Sequence, residues 1–177
     1  RSPIIHADHQ NGGILAAKAF LPHKCHHVIQ ITGALKVNTP ANVHHIAFEK
    51  VLHEAGVNVN TLEMEWNAFE PIDFYQIAQK LFKQYPDADG IFGPDLAICS
   101  CMHVAAQQGI CIPGDLKLVA YDGTYITRLG TQTITAVVQP IHDLANMAAK
   151  KIVALVNGTK GEELYELPME FQKGDTC

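Results

Sequence analysis

Short runs of apolar, β-forming residues alternate with longer amphipathic stretches along nearly the whole chain, and this alternation constrains the fold most. Pro3–Ala7, Val28–Thr32, Gly90–Gly93, Lys117–Tyr121 and Ile134–Val138 each read as a strand, and Val59–Glu65 alternates weakly enough to be another. Between them lie helical patterns: Gly13–Leu21, Asn42–Ala55, a stretch opened by Pro71, Leu96–Gln108, and one opened by Pro140. The Pro71 stretch is the clearest, with Phe74, Ile77, Ala78, Leu81, Phe82 and Tyr85 recurring at helical spacing behind a proline suited to a first turn. In the second helix Val43, Ala47, Phe48, Val51, Leu52 and Ala55 are expected to form the buried face, with Gly56 as its stop. The Pro140 helix carries Ile141, Leu144, Ala145, Ala148, Ile152 and Leu155, stops at Gly158, and leaves Leu164–Phe171 for a final strand.

Strands separated by helices of roughly 10–15 residues need crossover connections, which make neighbouring strands parallel. The expected class is therefore α/β, a largely parallel sheet with helices on both faces. In such sheets ligands bind beyond the carboxyl ends of the strands. That rule selects Asp8, the stretch 33–39, the stretch 67–69, Pro94 and Asp95, and Asp122, Gly123 and Thr124.

Composition removes several functions. The chain has 177 residues, 47% hydrophobic and 18% charged, which is ordinary for a packed domain. Its formal net charge is −5 and its 13 Lys and Arg residues are scattered, so no basic stripe for nucleic acid emerges. Five cysteines in no secretory spacing read as reduced thiols. No apolar run reaches the ~18 residues needed to span a membrane. Neither GxxxxGK[ST] nor GxGxxG occurs, and no G-x-S-x-G elbow or Cys–His pairing is visible, so no cofactor is expected and the chain is not expected to be an enzyme. The cluster His23, Cys25, His26 and His27 is too compressed for a structural zinc site and reads as a solvated loop; no metal is expected. The start Arg1-Ser2-Pro3 reads as the beginning of a fragment.

Two strand-end carboxylates stand out. Asp122, in Tyr121-Asp122-Gly123-Thr124, can accept two hydroxyl hydrogen bonds, which suits gripping a sugar. Asp95 reads either as a ligand contact beside Pro94 or as a cap for the following helix or turn. Phe69 can stack on an apolar sugar face or simply pack, and His44 can face a cleft or belong to a surface pair with His45.

The run Ile112-Pro113-Gly114-Asp115-Leu116-Lys117-Leu118-Val119-Ala120-Tyr121-Asp122, behind a helix ending Ala106-Gln107-Gln108-Gly109-Ile110, resembles the signature of the LacI/GalR family of bacterial regulators. The similarity continues through Asp89–Phe92 with Asp95–Ala97, through Ile134–Pro140, and upstream through Asn11-Gly12-Gly13, Ala16-Ala17, His26 and Gly33. It implies a fold like the periplasmic sugar-binding proteins, two α/β subdomains with the ligand between them. On that likeness residues 12–138 and 159–177 are the C-terminal effector subdomain. Residues 1–11 and 139–158 are a remnant of the N-terminal one, and the helix-turn-helix head lies outside the chain.

The resemblance places Asp122 on the family's ligand-gripping aspartate, Asp95 on its turn, Pro94 where an Asn is common, and Phe69 where an aromatic stacks. His44 takes a position usually held by an Arg that clamps the effector. An imidazole cannot reproduce a bidentate fork, which favours a neutral sugar over a phosphorylated or carboxylated one. The expected function is the sugar-binding domain of a cytoplasmic, homodimeric repressor, acting on operator DNA through the missing head and open to a corepressor protein. Ribose-type and sucrose-type operon repressors are the nearest in kind. The alternative is a secreted or periplasmic sugar-binding protein for transport.

Overall fold

The computed structural model describes residues 3–33, 42–65, 70–159 and 164–177. Its elements run β1 (Ile4–Ala7), α1 (His9–Phe20), β2 (His27–Thr32), α2 (Val43–Glu54), β3 (Asn58–Glu63), α3 (Pro71–Gln84), β4 (Gly90–Pro94) and α4 (Asp95–Gln108). They continue with β5 (Lys117–Asp122), β6 (Thr135–Val138), α5 (Ile141–Val156), β7 (Leu164–Leu167) and β8 (Glu170–Gln172). Six strands form one sheet in the order β3-β2-β4-β5-β6-β8, parallel except for β8, which runs antiparallel to β6. The α/β class and the largely parallel sheet follow as the crossovers required.

Alternation along the central strands sends successive side chains to opposite faces. Ile29, Ile91, Leu118 and Ala136 meet Phe74, Ile77, Leu81, Ile98 and Val104 of α3 and α4 on one face. Val28, Phe92, Val119, Tyr121 and Val137 meet Ala16, Ala17, Phe20, Phe48 and Leu52 of α1 and α2 on the other. The helix ends have local causes. Asp8 accepts a hydrogen bond from the Asn11 N–H at 2.8 Å, so α1 begins at His9, four residues before the expected Gly13. Glu70 and Asp73 form a reciprocal capping box ahead of α3, and α4 stops where Gly109 turns left-handed at φ 72°.

Two expectations are corrected. The segment 164–171 is two strands in different sheets: β7 pairs in parallel with β1, whereas β8 joins β6. Pro168 stands between them and has no N–H to continue a ladder. In α2 the buried residues are His44, His45, Phe48 and Leu52, while Val43 and Ala55 are exposed. The cause is α1, which approaches so closely that a Cβ at Gly13 would overlap the His44 carbonyl. Gly13 thus lets two helix backbones touch, and the contact rotates the histidine pair inward.

β1, β7 and α5 make a small separate unit on one flank. Among the described residues α5 buries none fully, and Ile152 and Val156 remain 62% and 81% exposed. Of the apolar stripe along α5, Leu144 and Ala148 are partly covered; Ile141, Ala145, Ile152 and Leu155 face outward.

Candidate functional site

The carboxyl edge of the six-stranded sheet gathers the polar groups. β4 ends at Pro94 and β5 at Asp122, with Pro94 in register with Tyr121, so the two strand ends lie side by side. Asp122 is half-buried and sits at φ 94°, a left-handed conformation that a side chain disfavours. Such a conformation persists where surrounding contacts over-determine it. Here Gln139 supplies two: its side-chain Nε2 donates to Asp122 Oδ1 at 2.6 Å and its backbone N–H to the Asp122 carbonyl at 3.1 Å. The next residue, Gly123, is also left-handed at φ 62°, and a Cβ there would collide with Val138.

Asp95 braces the same turn. It is 5% exposed and accepts from Gly123 N–H at 3.2 Å, from Thr124 N–H at 2.6 Å and from the Thr124 hydroxyl at 2.6 Å. Burial pushes its carboxyl above the usual range, and the bonds from Thr124 and Gly123 oppose that rise. Both oxygens are occupied by the turn, so Asp95 shapes the segment that carries Asp122. Pro94 occupies the cap position of α4, half-buried, with no N–H to offer a ligand. Phe69 lies outside the described residues.

His44 is 8% exposed and lies flat on Tyr121, ring centroids 4.0 Å apart and planes within 9°. His45 lies on it as well, at 3.8 Å between centroids, and Phe92 stands edge-on at 6.1 Å. His45 Nδ1 is 3.2 Å from Gln30 Oε1, and Gln30 Nε2 donates to Thr61 Oγ1 at 2.8 Å. Burial lowers the His45 pKa to about 4, so this ring is neutral at pH 7. The Tyr121 hydroxyl is 2.8 Å from Nδ1 of His9, the first residue of α1. Burial holds the phenol pKa far above its ordinary value, with Asp122 adding to the rise, and the hydroxyl keeps its proton.

The fold thus brings Asp122, Asp95 and Pro94 together on adjacent strand ends, with His44 reaching the group through Tyr121. Three participants were missing from the sequence-based set. Gln139 directly follows β6, and the strand-end rule applied to that strand would have selected it. His9 and Tyr121 carry no local signal, because their contact joins residues 112 positions apart. Gly12 explains part of its motif: a Cβ there would press on the Tyr121 ring and hydroxyl. Among the described residues, no group of three or more His, Cys, Asp or Glu side chains could hold a metal ion.

Comparison with known proteins gives the arrangement a family. The model for the periplasmic binding protein-like domain matches residues 17–177. The chain belongs to that family. Curated relatives of this periplasmic binding protein-like domain include operon repressors. The sucrose operon repressor of Streptococcus mutans is 29% identical over 175 residues, 98% of this chain and 53% of that protein. The ribose operon repressor of Halalkalibacterium halodurans is 26% identical over 176 residues, 98% of this chain and 52% of that protein. A solved LacI-family regulator from Enterococcus faecium with bound ribose superposes with a TM-score of 0.84 at 22% identity, covering 99% of this chain and 65% of that one. The resemblance to the LacI/GalR effector region is borne out, and the domain spans about half the length of the curated relatives it matches.

Proposed function

We propose that this chain is the sugar-sensing domain of a bacterial transcriptional repressor, with Asp122 gripping ligand hydroxyls in a cleft at the carboxyl edge of the six-stranded sheet. The observation that carries it is the Asp122 turn. A strained aspartate is locked by Gln139 and by the Asp95-braced loop, in a chain that aligns with operon repressors over 98% of its length. A carboxylate so held accepts from two hydroxyls without reorganising, which favours binding of a polyol. With His44 flat on Tyr121 where the resemblance expects a clamping Arg, the ligand is a neutral sugar rather than an anionic one.

The cleft's second wall is the other effector subdomain. The outward-facing Ile141, Ile152 and Leu155 support assigning β1 and α5 to it, and pairing with β1 supports adding β7, which the sequence grouped with the larger subdomain. In the whole protein the domain works as a homodimer in the cytoplasm, coupled to operator DNA through a head outside this chain, and catalyses no reaction. Exposed Ile72, Leu96, Tyr125 and Leu129, on α3, α4 and the turn after β5, are apolar side chains in keeping with a dimer. Among the described residues no helix is long and apolar enough to cross a membrane, and the kinship with operon repressors disfavours a transport role.

Sugar binding and operator binding are then linked, each weakening the other by one coupling free energy. Calorimetric titration of the full-length protein with D-ribose and with sucrose tests the site. Asp122→Ala is expected to lower affinity about 100-fold or more, as loss of two hydrogen bonds to a charged group implies, and to leave operator binding insensitive to the sugar. Unchanged affinity in a folded Asp122→Ala protein would overturn the assignment.

A further inference from the structure

We infer that His9 is a second ligand-binding residue, donating from Nε2 to the hydroxyl that Asp122 accepts from, and that Tyr121 positions it. The inference takes its ligand from the sugar-binding reading above.

The argument begins with the place of the ring. His9 opens α1 just beyond the end of β1, half-buried, where its charged and titratable neighbours are His6 on β1, Asp8 at the helix cap, Asp122 at the end of β5 and Glu166 on β7. It therefore stands at the junction between the six-stranded body and the flanking unit, within electrostatic reach of the ligand-gripping carboxylate. Burial, then His6, lowers its pKa below 6.5 despite the three carboxylates, so the ring is neutral at pH 7.

A neutral imidazole donates from one nitrogen only, and Tyr121 decides which. The phenol is buried and protonated, and its hydroxyl has one partner among the described residues, His9 Nδ1 at 2.8 Å. If Nδ1 carried the proton, the buried phenolic hydrogen would be left without an acceptor, which is the costlier arrangement. Tyr121 therefore donates to Nδ1, and the proton of His9 sits on Nε2, which has no partner among the described residues. The phenol is itself immobilised, with His44 stacked on one side and α1 pressed against it at Gly12. A sugar hydroxyl both donates and accepts. It can give its proton to Asp122 and receive one from His9, so the pair reads a hydroxyl more stringently than either group alone. His44, buried in the stack, acts through Tyr121.

The test uses the full-length protein and the two sugars named above. His9→Phe is expected to weaken sugar binding by 10-fold or more, while His9→Gln, which keeps an N–H donor, recovers at least a third of the lost affinity on a logarithmic scale. Thermal melting of each variant separates lost binding from lost folding. Long-range nitrogen spectra of the imidazole are expected to show the Nε2–H form in the wild type and a mixture in Tyr121→Phe. Asp122→Ala separates the two claims. If it abolishes binding while His9→Phe stays within two-fold of wild type, the role of His9 is overturned and the site stands. If Asp122→Ala still binds, or the wild type binds neither sugar, the site falls and this inference with it. An Nδ1–H form in the wild type overturns the part given to Tyr121.

Discussion

The six-stranded body and the β1–β7–α5 unit draw on similar apolar residues but bury them to opposite degrees. In the body Phe92 is fully enclosed, stacked on Phe48 at 4.3 Å between centroids, with Phe20 edge-on to Phe48 at 5.9 Å. In the flanking unit Ile4, Ile152, Val153, Val156 and Leu164 all remain exposed. Helical propensity and amphipathic spacing are as good in α5 as in α3, so neither separates the two regions. What separates them is a second layer. α3 has a sheet beneath it and α4 beside it, whereas α5 rests on two short strands. Burial comes from what the rest of the chain brings, and to α5 the chain brings only one thin layer.

The largest expected effect sets the contrast. Phe92→Ala should destabilise the 177-residue chain by about 3–5 kcal/mol, the cost of removing a buried aromatic ring from a packed core. Urea unfolding followed by circular dichroism measures it, and a loss below 1 kcal/mol would mean that the body is as loosely packed as its flank.

Acid should strike the body next. His45 has a folded pKa of about 4, depressed by burial below its ordinary value of 6.5. Its contribution is fully present above pH 6.5 and declines as the unfolded chain takes up a proton that the native ring refuses. Unfolding free energy should fall by about 2–3 kcal/mol between pH 6.5 and pH 4 on this account. His45→Gln should flatten that slope, although His9, shifted in the same direction, leaves part of it. The His6–Glu166 pair across β1 and β7 is 3.8 Å long and half-exposed, so His6→Gln should change stability at pH 7 by no more than about 0.5 kcal/mol.

The smallest expected effect is the most discriminating. Ile152→Lys in the 177-residue chain should change stability by no more than about 0.5 kcal/mol, because the side chain already meets water. In the full-length protein the same substitution should cost about 1–3 kcal/mol if the second effector subdomain proposed above covers α5. Equal small losses in both would place α5 on the surface of the whole protein and remove its claim to a second layer.

Much of this molecule was legible before any coordinates. Pro71 and the spacing from Phe74 to Tyr85 located α3, Gly109 ended α4, and the crossovers required a parallel sheet. Asp122 was legible too, because a carboxylate between a β-run and a glycine stands at a strand end. Less was legible where two distant segments meet. Val43 and Ala55 looked like the inner face of α2 until Gly13 let α1 against His44. Asp95 could not be divided between ligand and turn until Gly123 and Thr124 were seen to take both its oxygens.

Local periodicity, capping and breaker residues thus determined the elements, their order and the sheet edge that carries the candidate site, because each of those depends on neighbours along the chain. Tertiary structure alone decided the rest: the split of 164–171 between two sheets, the burial of His44 and His45, and the contact that ties His9 to Tyr121. Those depend on which side chains arrive at one point from remote segments, and a hydrogen bond such as that 2.8 Å contact is set by distance and orientation in space. No pattern along the sequence records that distance.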